Sequence, residues 1–148
     1  MKTILYKIMA CLCLIFISCD KMPENGDLDG LWQLMEISDN GNVRNTKADR
    51  LYCSFQLKLF MLGDPSEPRH YFGYFKNNGN TIRFHNFTYR SNYSQDNQSE
   101  DKLMNDDEDL QTIAPWGFYS TDCTYGIELN SKILILRHDN LTITYRKI

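Results

Sequence analysis

From Gly30 to the end of the chain, apolar residues recur every second position rather than every third or fourth. Between Tyr52 and Leu62, Cys53, Phe55, Leu57, Leu59 and Met61 fall on one side and Ser54, Gln56 and Lys58 on the other, with Phe60 alone out of phase. That is the pattern of a half-buried strand. Tyr71 to Lys76 and Thr81 to His85 flank Asn77-Asn78-Gly79-Asn80, whose Asn-Gly step suits a tight antiparallel hairpin. Three more strands are predicted over Tyr125 to Leu129, Lys132 to His138 and Leu141 to Ile148, separated by the short connections Asn130-Ser131 and Asp139-Asn140. A meander of about eight short strands leaves unpaired edges unless it closes on itself. The expected fold is therefore all-β, a single antiparallel up-and-down barrel, with a two-sheet sandwich as the alternative. Trp32, Phe55, Leu57, Leu59, Phe84, Ile127, Leu129 and Ile143 are its expected inward set.

Two stretches break the pattern. Residues 91–110 lose most apolar positions and collect Asp96, Glu100, Asp101, Asp106, Asp107, Glu108 and Asp109 against Lys102, which predicts a solvated acidic loop within the domain. At the other extreme, residues 8–17 are almost wholly apolar and follow Lys2 and Lys7, and a polar run begins at Asp20. An apolar core of this length is too short for a permanent membrane helix and fits a cleaved secretory signal. The division expected is thus a signal over 1–18, a flexible tether over 19–29 and one domain over 30–148.

The order Phe16-Ile17-Ser18-Cys19 resembles a bacterial lipobox, which implies cleavage before Cys19 and acylation of its thiol. The resemblance places the chain in the envelope of a Gram-negative bacterium, held to a membrane through an N-terminal lipid, with the outer membrane or the surface favoured over the inner membrane. The formal charge is −3, and loss of Lys2 and Lys7 makes it more negative with no basic stripe to offset it, so nucleic acid is not expected as a partner.

Five cysteines are present; with Cys11 and Cys13 in the signal and Cys19 acylated, Cys53 and Cys123 remain. They form a candidate disulfide in an oxidising compartment, with two buried thiols as the alternative. No set of nucleophile, base and acid can be assembled, and no Gly-x-Ser-x-Gly elbow occurs, so the chain reads as non-enzymatic. His70, His85 and His138 share no ligand spacing, and Asn105 to Asp109 lacks the glycine turn and terminal glutamate of a calcium loop; no metal and no cofactor is expected. Asn-x-Ser/Thr triplets at Asn86, Asn92, Asn97 and Asn140 reflect an Asn-, Ser- and Thr-rich composition.

Gly30-Leu31-Trp32 at the first strand, the meander of hairpins and the closing Thr144-Tyr145-Arg146-Lys147 together resemble a lipocalin-like domain of small bacterial envelope lipoproteins. The resemblance implies that Trp32 plugs the barrel floor and that Arg146 packs over its ring. A barrel of this size is either filled by side chains or holds one small molecule, and the bulky inward set favours filling. Tyr74 and Tyr125 are the candidate polar handles for a small apolar ligand. The alternative function is an interaction module that docks onto another envelope protein.

Overall fold

The computed structural model describes residues 24–67, 69–90 and 101–148. Cys19, the signal segment, and Asn92 and Asn97 lie outside the described residues. Among the described residues the strands are β1 (Gly30–Asp39), β2 (Asn42–Asn45), β3 (Tyr52–Gln56), β4 (Leu59–Gly63), β5 (His70–Asn77), β6 (Thr81–Arg90), β7 (Lys102–Leu103), β8 (Cys123–Leu129), β9 (Ile133–His138) and β10 (Leu141–Lys147), with one helix, α1 (Asp106–Ile113). Eight of them close an antiparallel barrel in the order β1-β3-β4-β5-β6-β8-β9-β10, sealed where β10 pairs along β1 from Trp32↔Lys147 to Asp39↔Leu141. Closure satisfies the ladder groups that an open meander would expose, and the sandwich alternative is excluded. Among the described residues, β2 pairs only with the far half of β1, and β7 only with β6.

The run from Tyr52 to Leu62 is two strands, not one. Gln56 pairs with Leu59 across a two-residue turn in which Leu57 takes a positive φ of 57°. A two-residue turn reverses the chain, so the inward positions become Phe60 and Leu62, both buried, while Leu57 and Leu59 point to solvent. Phe60 is therefore in phase with its own strand. Its ring lies where a Cβ on Gly73 would sit, 2.8 Å away, which explains a glycine in the middle of β5.

The tether and the acidic loop also differ from expectation. Gly26–Leu28 forms a 3-10 turn that folds Leu28, fully buried, under the barrel, so the ordered chain includes residues 24–29. Asp106, Asp107, Glu108 and Asp109 are the first turn of α1, where negative charge complements the helix dipole. Asn105 caps that turn by accepting from the Glu108 N–H at 3.0 Å. A 3-10 turn, Ala114–Trp116, then carries the chain over the barrel mouth.

Candidate functional site

The barrel interior is occupied by side chains. The segment after α1 inserts Trp116 and Phe118 into the open end, and Phe118 meets Phe60, Phe84, Phe87 and Tyr125 at ring-centroid distances of 5.0 to 6.1 Å. Three hydrogen bonds fix the insertion: Trp116 Nε1 donates to the Tyr52 carbonyl at 3.0 Å, Tyr125 Oη to the Gly117 carbonyl at 2.8 Å and Tyr145 Oη to the Trp116 carbonyl at 3.1 Å. Gly117 has a φ of 87°, and a Cβ there would lie 2.5 Å from Ile143 Cδ1, so only glycine lets this loop sit so deep.

Tyr125 is thus a buried structural residue and not a handle for a ligand. Burial holds its phenol and that of Tyr145 well above the ordinary tyrosine range, and neither hydroxyl is available as an acid or base near neutral pH. The disulfide is likewise not formed: Cys53 and Cys123 are both free and buried. In the closed strand order β3 and β8 stand four strands apart in either direction, on opposite walls. A barrel of this size is roughly 15 Å across, about twice the Cα separation a bridge tolerates. Burial raises the Cys53 thiol and pushes that of Cys123 up to about 12, so both stay protonated.

At the closed end Trp32 is fully buried and donates from Nε1 to the Leu28 carbonyl at 2.8 Å. The cation over its ring is Lys147, with Nζ 5.2 Å from the centroid, and not Arg146. Strand alternation decides this. Ile143 and Tyr145 point inward, so Lys147 shares their face and pairs with Trp32, whereas Arg146 pairs with Gln33 and donates to its Oε1 at 3.2 Å on the outer face. Lys147 Nζ also donates to the Asp27 carbonyl at 2.6 Å, tying the buried turn to the last strand.

The same alternation places Tyr74 outside, where it stacks on His85 across β5 and β6 with ring centroids 6.0 Å apart. An open groove of about 400 Å³ runs between this pair and the Glu24-Asn25 segment, with Leu57, Lys58 and Lys76 along it. Asn25 Nδ2 donates to the Leu57 carbonyl at 2.8 Å, which fixes that wall. Leu59 pairs with Tyr74, and Met61 with Phe72, so apolar side chains continue from the groove along the outer wall. Tyr74 and Tyr125 therefore belong to different surfaces. Sequence reasoning found Tyr74 but missed His85 and Asn25 as its neighbours; the Asn-Gly hairpin, which sets His85 opposite Tyr74, carried that signal.

The remaining candidates do not converge. His138 stacks on Tyr119 at 4.1 Å, His85 on Tyr74, and His70 lies at the start of β5. In the acidic run, Asp106 accepts from the Thr121 N–H at 2.5 Å and the Ser120 hydroxyl at 2.8 Å, and Asp109 accepts from the Asn105 N–H at 3.0 Å. These carboxylates cap and anchor the helix. The Thr121 bond, with help from Ser120, holds the Asp106 carboxyl below its ordinary value, and the Arg83 guanidinium does the same for Asp122.

A lipocalin-like domain family model matches residues 12–148. A lipocalin-like protein from Bacteroides uniformis has a crystal structure 21% identical in sequence, with a TM-score of 0.56 over 83% of this chain and 100% of that one. An uncharacterized protein from Bacteroides eggerthii is 20% identical, with a TM-score of 0.53 over 82% of this chain and 99% of that one. At these identities the likeness is one of fold. No curated protein matches the chain.

Proposed function

Because the chain belongs to the lipocalin-like domain family, we propose that it is a non-enzymatic binding protein, anchored in the envelope of a Gram-negative bacterium by a lipid on Cys19, that binds on the outside of its barrel. The observation that carries this reading is the interior filled by Trp116 and Phe118 while a groove of about 400 Å³ stands open beside Tyr74. That volume is in the range of small-molecule sites. Its chemistry suits a small amphipathic ligand: the Tyr74–His85 stack and Leu57 offer an apolar platform, and Lys58 and Lys76 offer two cations to an anionic group.

Anilinonaphthalene sulfonate, a small aromatic anion, is a direct probe. The expected result is saturable binding at one site that Tyr74→Ala abolishes. Binding that ignores Tyr74→Ala would return the site to the barrel interior and refute the outer groove. Processing supplies the second test: the mature N-terminus should be an acylated Cys19, and Cys19→Ser should leave the precursor uncleaved.

A second reading, docking of another envelope protein, draws on the apolar row formed by Leu59, Met61 and Phe72. It predicts a partner recovered with the wild-type protein from fractionated membranes and lost with Met61→Lys, with anilinonaphthalene sulfonate binding unchanged.

A further inference from the structure

The two ends of the barrel differ in charge. The closed end collects the β3–β4 turn, the β5–β6 turn, the β8–β9 turn and the end of β10, because each of these meets the Gly30 end of β1 either directly or through its neighbours. Lys58, Lys76 and Lys132 are exposed there and, with Lys147, outnumber the carboxylates of Glu24, Asp27 and Asp29 by one; Leu57 at the tip of its turn and Ile148 are 50% and 62% exposed. The open end carries the acidic first turn of α1 together with Asp39, Asp49 and Asp139, which outnumber its exposed cations Arg44, Lys47, Arg50, Arg69 and Lys102.

The chain also enters at the closed end. Asn25 is fixed to the Leu57 carbonyl and Asp27 to Lys147, so Glu24 sits in the same groove as Lys58 and Lys76. From Glu24 back to Cys19 the backbone spans at most roughly 18 Å even if fully extended. The barrel is roughly 25 Å long, from the rise of its ten-residue strands and their tilt, so a lipid on Cys19 cannot reach past the far end.

From this juxtaposition we infer that the closed end of the barrel is a docking face for an anionic bilayer surface. The inference rests on the lipid anchor proposed above. With the closed end down, Lys58, Lys76 and Lys132 come within a Debye length of lipid phosphates, Leu57 and Ile148 meet the headgroup boundary, and the acidic helix is held away from like charge. Any tilt that brought α1 toward the bilayer would set its four carboxylates against the same phosphates. End-on docking covers the groove at Leu57, Lys58 and Lys76, so bilayer and small ligand compete for it, and it leaves the Tyr119–His138 side and the helical cover facing outward.

The test places an environment-sensitive label at Leu57→Cys, or at Val43→Cys on β2 near the open end, in the full chain purified from membranes and reconstituted in vesicles. Cys53 and Cys123 are buried and stay unlabelled. In vesicles of three parts phosphatidylcholine to one part phosphatidylglycerol, the label at position 57 should report membrane contact and that at 43 should report water. Contact at 57 should fall in phosphatidylcholine alone, at high salt, and in the triple variant Lys58→Gln, Lys76→Gln, Lys132→Gln, whose unfolding midpoint should match that of the parent. Contact at 43, equal hydration of both positions, or contact at 57 indifferent to charge would overturn the docking face. The mass of the mature N-terminus reads the anchor separately. If Cys19 proves unacylated, the anchor fails, and the same labels on a chain with Cys11, Cys13 and Cys19 replaced by serine, added to vesicles, still decide the face: the triple variant should then partition roughly a hundredfold more weakly, about fivefold per lysine.

Discussion

Trp32 links the floor of the barrel to both ends of the domain, because its indole holds the Leu28 carbonyl while its face receives Lys147. Trp32→Ala should cost about 3 to 5 kcal/mol, as for other buried aromatic truncations. Lys147→Ala should cost about 1 kcal/mol through the lost cation-π contact and stem packing. Arg146→Ala, which removes an exposed side chain together with its bond to the buried Gln33 amide oxygen, should cost about 1 kcal/mol. Urea unfolding of the single and double variants separates these claims: Trp32 and Lys147 should couple, and Trp32 and Arg146 should not. A coupling that appeared only with Arg146 would reverse the assignment made from strand parity. The interior thiols give a second residue-level prediction. With burial raising both, a maleimide at neutral pH should leave Cys53 and Cys123 unmodified in the native protein and label both in urea, and a reducing agent should not shift the unfolding midpoint.

Among the elements, α1 depends on one carboxylate more than on its own propensity. An eight-residue helix is marginal alone, and Asp106 pins its start to Ser120 and Thr121 beside β8. The folded protein favours charged Asp106, so this contribution is complete above the ordinary aspartate range and is lost as pH falls through the lowered folded value; Asp122 acts in the same direction through Arg83. Hydrogen exchange of residues 104–118 should therefore accelerate as pH drops below about 4, after correction for intrinsic rates, and Asp106→Asn should show the fast exchange at neutral pH already. Unchanged protection in that variant would mean that Trp116 and Phe118 hold the cover without the helix start. Why α1 escaped sequence reasoning follows from the same residues. Four acidic side chains suit a first helical turn, yet read along the chain they continue a charged run that begins at Asp96. The β3–β4 turn was hidden for a related reason. Leucine is a poor residue for positive φ, so Leu57 gave no turn signal and its alternation ran on across the reversal. Where turn chemistry was explicit, at Asn78-Gly79, Asn130-Ser131 and Asp139-Asn140, the predicted and observed strands agree at the turns, although β6 runs on to Arg90, five residues past the expected end at His85. The outer site was half legible: Tyr74 stood out, but its other wall is Glu24 and Asn25, within a segment whose polar composition reads as tether.

For the whole molecule, the decisive property is that a barrel able to hold a ligand is closed at both ends by its own chain. Leu28 and Trp32 fill the floor, and Trp116 and Phe118 fill the mouth. Trp116 lies outside the strands, so its indole can be removed without changing a strand residue. It packs against Tyr71 at 5.9 Å and is held by the Tyr52 carbonyl, so Trp116→Ala should cost about 3 to 5 kcal/mol and leave an apolar void in place of the indole. Such a void stays dry and takes up small apolar molecules. Benzene or indole should then bind Trp116→Ala at an interior site that survives Tyr74→Ala and that the parent protein lacks. Native-like near-ultraviolet dichroism would distinguish this from the loosened packing of a molten state. If Trp116→Ala remains folded and gains no interior site, the mouth must be sealed by Phe118 and Ile113 alone, and the interior would be excluded from ligand binding even more firmly than the native packing requires.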